Sequence, residues 1–179
     1  FSHRATKNGK HAYDYLTSWS QAAAAANAIV GPTILSDLNP WGDDIGPPKS
    51  MQGMVEDVRT NGYTIAVDAP TEMSTLLSHS IKSSAQQYEI RFGKRTVQIY
   101  GEKQISNASL SFDGYTPGKD AMALYTLTWT SASSTVIVEM AAHLAMGSDV
   151  TGAGGGIGYG AGYGAGSISG GSYHVTLEK

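Results

Sequence analysis

A chain of 179 residues is long enough to bury a core as one domain, since domains run to about 100–200 residues and one near this size hides roughly two-thirds of the surface its unfolded chain exposes. The absence of cysteine excludes disulfides, thiolate-held zinc, iron–sulfur clusters and thiol nucleophiles. With a net charge of -3 and only 15% charged residues, against a typical value of about 25%, the surface argues against nucleic acid, whose phosphates need clustered Lys and Arg.

In chain order, His11 to Val30 reads as a helix. Tyr15, Leu16 and Trp19 lead into a run of alanines from Ala22 to Ala26, and Gly31-Pro32 supplies a stop. Asn39-Pro40, Gly42-Asp43-Asp44 and Gly46-Pro47-Pro48 mark a surface loop. Met51 to Val58 fits one helical turn or two, and Asn61-Gly62 introduces Tyr63 to Val67, which alternates like a strand. Pro70, a Thr71–Ser74 cap region and the spacing of Met73, Leu76, Leu77 and Ile81 predict a short helix over 71–83.

From Gln87 onward the pattern is β. Tyr88-Glu89-Ile90-Arg91-Phe92 alternates, Gly93-Lys94 turns the chain, and Val97 to Tyr100, Ile105, Leu110 and Phe112 continue the pattern. Met122 to Thr130 is rich in β formers, Ser131 to Ser134 makes a hairpin loop, and Thr135 to Leu144 reads as a second long strand. Tyr173 to Leu177 is a last one. Short strands at this spacing predict an antiparallel sandwich or barrel with one or two short helices in the N-terminal half. The stretch 151–171 holds eleven of the 22 glycines, with Tyr159 and Tyr163 in a Gly-Tyr-Gly-Ala-Gly repeat, and predicts a long flexible loop. There is no run of about 18 apolar residues to span a membrane, and Phe1-Ser2-His3-Arg4 is not an apolar signal segment.

Two segments resemble a family of large secreted bacterial and archaeal surface proteins with a prealbumin-like fold. Lys7-Asn8-Gly9-Lys10-His11-Ala12-Tyr13-Asp14-Tyr15-Leu16-Thr17-Ser18-Trp19 is similar to the family's SGKHAxDYLTSF stretch. Ala142-His143-Leu144-Ala145, Ser148-Asp149 and Ser167-Ile168-Ser169-Gly170-Gly171-Ser172-Tyr173-His174-Val175 follow the order of its GGHIA, D-W-G and ISGSPYHM stretches. Ala141-Ala142 replaces two glycines, Gly171-Ser172 replaces Ser-Pro, and the aromatic after Asp149 is missing. The resemblance implies one extracellular β-sandwich domain over 1–179, jelly-roll or prealbumin-like, in a family with no established enzymatic role. In that family the Gly-Lys-His segment follows further strands of the same domain. A chain opening on Phe1 is therefore expected either to continue a longer protein or to take a strand from a neighbouring subunit.

His11, His143 and His174 lie within these motifs, and neutral imidazoles beside Asp14 and Asp149 could hold a transition metal or simply bond to backbone carbonyls. Asp37, Asp43 and Asp44 in the Pro- and Gly-rich loop are candidate calcium ligands or solvated turn residues. No resident cofactor is expected. Catalytic motifs are missing. There is no Gly-x-Ser-x-Gly elbow, Ser78-His79-Ser80 is a mere adjacency, and Glu89, Glu102 and Glu139 are not paired by spacing. Lys10 and Asp14 are the candidate pair for an isopeptide cross-link, and Asn107-Ala108-Ser109 is a glycosylation sequon. Tyr159 and Tyr163 read as interface anchors. The sequence thus points away from enzymes, toward a self-assembling subunit of an extracellular filament, sheath or surface layer, with copies of itself as partners. The alternative is a cell-surface adhesin or a module binding surface glycans.

Overall fold

The computed structural model describes residues 1–18, 21–22, 62–68, 81–147, 158–169 and 174–177. Over these the chain is mostly β, and its strands pair antiparallel. They are β1 (Ser2–Arg4), β2 (Thr6–Lys7), β3 (Lys10–His11), β4 (Tyr13–Thr17), β5 (Tyr63–Asp68), β6 (Thr96–Gly101), β7 (Ile105–Tyr115), β8 (Met122–Ser131), β9 (Val136–Glu139), β10 (Ala141–Leu144) and β11 (Val175–Thr176), with helix α1 (Ile81–Phe92) between β5 and β6. One sheet runs β11-β1-β8-β7, a second β5-β6-β9, and β10-β4 and β2-β3 form two-stranded pairs.

The expected strand at Tyr63 to Val67 and those around Val97, Leu110 and Met122 to Thr130 stand as β5, β6, β7 and β8. Three expectations are corrected. His11 to Thr17 is extended, and the helical turn starts only at Ser18. There the Gln21 N–H donates to Ser18 Oγ at 3.2 Å and the Ser18 N–H to Gln21 Oε1 at 3.4 Å, a reciprocal capping box. Ser18→Ala should therefore cost about 1 kcal/mol in a thermal or urea melt.

Tyr88 to Phe92 belongs to α1 and is not a strand. Ser84, Ala85 and Tyr88 are buried and Phe92 packs beside them, a helical period, while Ile90 is 76% exposed. The expected long strand from Thr135 to Leu144 divides at Met140. Its first half pairs with β6 and its second with β4, so the chain changes sheets where Met140 packs into the shared core. The expected helix over 71–83 is helical from Ile81 on, and its earlier part lies outside the described residues. Also outside them lie Ala23 to Ala26, the loop around 39–48, the 51–58 segment, and 148–157 and 170–173 of the glycine-rich stretch.

Asn8 and Gly9 join β2 to β3 with φ of 53° and 75°. Both values are left-handed, as the tight two-residue hairpin turn matching strand twist requires. The Asp120 carboxylate accepts from the Asn8 N–H at 2.7 Å and from Lys7 Nζ.

Two core regions join the sheets. Ile65, Val67, Ile99, Val136 and Val138 pack against Ile105, Leu110 and Leu127 on the inward face of the β7–β8 hairpin. Ala5, Leu16, Val97, Ala123 and Tyr125 form the other, with Phe1, Phe112 and Tyr115 against them.

Candidate functional site

The site grows from an irregularity in β4. Ala142 pairs with Leu16 but Leu144 pairs with Tyr13, so Asp14 and Tyr15 together oppose the single residue His143. Such a bulge re-aims side chains, which explains why Asp14, Tyr15, Leu16 and Thr17 are all buried where a regular strand would alternate. Both residues of the bulge engage His143. Its Nδ1 donates to Asp14 Oδ1 at 2.7 Å, and its ring stacks on Tyr15 with centroids 4.5 Å apart and 7° between planes.

Asp14 is fully buried and accepts two further bonds. The Tyr15 N–H donates to Oδ1 at 3.1 Å and the Tyr159 hydroxyl to Oδ2 at 3.1 Å. Tyr159 in turn stacks on His11, centroids 3.9 Å apart. Burial, with the Asp14 carboxylate beside them, pushes the Tyr15 and Tyr159 phenols well above their usual range. Both stay protonated, so Tyr159 is a hydrogen-bond donor and no phenolate nucleophile arises here.

Arg95 closes the far side. Its guanidinium, fully buried, donates to the Leu16 carbonyl at 2.7 Å and to Glu89 Oε1 at 3.0 Å, and lies 5.0 Å from the Tyr15 ring centroid. No motif singles out Arg95 in the sequence. Its role arises from a fold that brings α1 and β6 against β4.

The three motif histidines part company. His11 and His143 flank Tyr159 and Asp14, whereas His174 is exposed beside β1, its carbonyl accepting from the Arg4 N–H at 2.9 Å. His143 and His174 stand on strands that do not pair with each other, since β10 pairs with β4 and β11 with β1. Among the described residues no three His, Asp or Glu groups gather to hold a metal ion. Asp37, Asp43, Asp44 and Asp149 lie outside them, as does Ser78-His79-Ser80. Lys10 Nζ reaches the Ser167 carbonyl at 2.8 Å, not Asp14. Glu89 accepts from Arg95, Glu102 from Ser134 and Glu139 from Tyr100.

Of the two tyrosines read as interface anchors, Tyr159 is buried within its own chain at 2% exposure, while Tyr163 stands exposed. Asn107 is exposed in a second bulge, where Ser106 pairs with Thr130 and Ser109 with Thr128. Its left-handed φ of 51° turns it out of the ladder and leaves the sequon accessible.

An imidazole oriented by a buried carboxylate is half of a hydrolytic triad. Here Asp14 also joins three segments distant in sequence, through His143, the Tyr15 backbone and Tyr159. No family model, curated protein or solved structure matches the chain.

A second buried imidazole lies outside the cluster. His3 Nε2 bonds to the Tyr125 hydroxyl at 2.9 Å, and burial lowers its pKa to about 4. Stability from a neutral His3 is thus full above its unfolded value near 6.5 and is lost as the pH falls toward 4, at about 1.4 kcal/mol per unit of depression. His3→Gln should flatten the fall in melting temperature between pH 6.5 and 4 relative to wild type. Parallel profiles would show that His3 contributes nothing to it.

Proposed function

We propose that the chain is a β-sandwich building block of an extracellular filament, sheath or surface layer, joining copies by strand and loop exchange. Strand β11, the edge of its sheet among the described residues, carries this reading. Register places Val175 beside His3, which has Ala123 on its other side; both of these are fully buried, yet Val175 is 52% and Leu177 79% exposed. Apolar side chains on an open sheet edge are a template for pairing with another strand. The packing of the β7–β8 hairpin against β5-β6-β9 supports the sandwich, and the resemblance to secreted surface proteins supports the location.

Negative-stain electron microscopy with light scattering tests this. Regular fibres or sheets are expected, weakened by Val175→Lys with Leu177→Lys, and a monomer at every concentration overturns it.

A second reading, an adhesin or glycan-binding module, rests on the outer face of the hairpin. There Ser109 and Thr128 bond at 2.7 Å, and Ser111 and Thr126 donate to Asp113 at 3.0 and 2.6 Å. This exposed row of oriented hydroxyls is arranged around a single carboxylate, Asp113. Glycan-array binding by a protein that stays monomeric would favour it.

A further inference from the structure

We infer that strand β11 pairs antiparallel with β11 of a second copy, across a two-fold axis at Thr176. The inference rests on the assembly proposed above and names the contact that starts it.

The direction of the backbone groups fixes the register. In an antiparallel strand the N–H and C=O of one residue point to the same side, and successive residues alternate. The Phe1 nitrogen donates to the Tyr125 carbonyl at 3.0 Å, and the Phe1 carbonyl accepts from the Tyr125 N–H at 2.9 Å. Phe1 and His3 therefore turn toward β8, while Ser2 and Arg4 turn toward β11. The bond from the Arg4 N–H to the His174 carbonyl at 2.9 Å agrees with this. Thr176, opposite Ser2, turns its own groups back to β1. Val175 and Leu177 are left directing theirs to the far side, where among the described residues no strand pairs. These are also the two residues of the strand with exposed apolar side chains.

One register meets both needs. With Thr176 opposite itself, Val175 of each copy faces Leu177 of the other, and the two exchange both backbone bonds. Residues directly opposite share a face, so these apolar side chains lie side by side, on the face where His3 and Ala123 are buried. Thr176 meets its own copy on the other face, a favourable pair across strands. A slip of one residue sets Val175 against Thr176, whose N–H and C=O are turned to β1, and the bonds are lost. The edge is thus its own complement.

The pairing joins β7-β8-β1-β11 and its copy into one sheet. A two-fold contact closes on itself, so the product is a dimer, and a filament grows from dimers through a second contact. So short a strand buries little beside the roughly 800 Å² per partner of a stable complex, and the pairing belongs to concentrated protein.

Thr176→Cys tests this in a chain with no other cysteine. Opposed residues that exchange no backbone bonds have Cα atoms about 4.5 Å apart, within disulfide reach. Mild oxidation of concentrated Thr176→Cys protein should give several-fold more covalent dimer than Ser109→Cys, also exposed but on β7. Adding Val175→Pro should return the dimer to that control level with little change in the melt, because proline is tolerated where the N–H faces away from the sheet. Dimers that persist in the proline variant overturn the pairing. Fibres whose Thr176→Cys dimers stay at the control level also overturn it, and leave the filament reading standing. Excess dimers in protein that forms no fibres uphold the pairing and overturn the filament. Protein that stays monomeric at every concentration, without excess dimers, overturns both.

Discussion

Asp14→Ala is expected to destabilise the protein by about 3–5 kcal/mol, the largest effect of any single substitution considered. The carboxylate is fully buried and accepts three hydrogen bonds, from His143, Tyr159 and the Tyr15 backbone. Its loss removes the acceptor that these three donors share, and a buried donor left unsatisfied costs about 1–3 kcal/mol. A chain of this size should lose roughly 10 °C in melting temperature. Tyr159→Phe removes one donor and keeps the ring on His11, so it should cost only about 1 kcal/mol. Combined with Asp14→Ala it should cost less than on its own, because the bond to Asp14 is already gone. Additive losses, or an unchanged melt for Asp14→Ala, would show that the cluster does not hold the segments together.

Gly164→Ala is expected to undock the segment 158–169. The backbone there has φ of -91°, which alanine adopts freely, so the objection is purely one of space. The added methyl would meet the Gly147 nitrogen at 2.2 Å and its Cα at 2.5 Å. These are backbone atoms that cannot swing away. Overpacking of this kind costs about 1–3 kcal/mol, and docking of a short segment is the cheapest thing to surrender. Hydrogen exchange at the Ala165 N–H and proteolysis within the segment should both accelerate. Gly166→Ala, where nothing stands within 4 Å, should leave both unchanged.

Strands with regular alternation were legible from the sequence, because the inward face of β6 and β8 is apolar at every second residue. Tyr88 to Phe92 misleads because five residues cannot separate a period of 2 from one of 3.6. Only the longer window from Ser84 to Phe92 shows that Ile90 faces water. His11 to Thr17 misleads because the bulge at Asp14 and Tyr15 erases the alternation that would have marked a strand. Asn8-Gly9, a strong hairpin signal just before it, was there to be used. The motif resemblance picked out His11, Asp14 and His143 singly. Their meeting, and the recruitment of Arg95 and Tyr159, depends on pairings between residues far apart in sequence, which no local pattern encodes.

The place of β1 has a kinetic consequence. It lies between β8 and β11, with His3 opposite both Ala123 and Val175, so β1 pairs with partners far along the sequence. Closing such loops costs chain entropy before any contact repays it, and topologies of this kind fold slowly. The β7–β8 hairpin, local in sequence, can form at once, while β1 waits for β8 and then β11 to be synthesised. In that interval the hairpin edge that β1 will occupy is open to strands from neighbouring nascent chains.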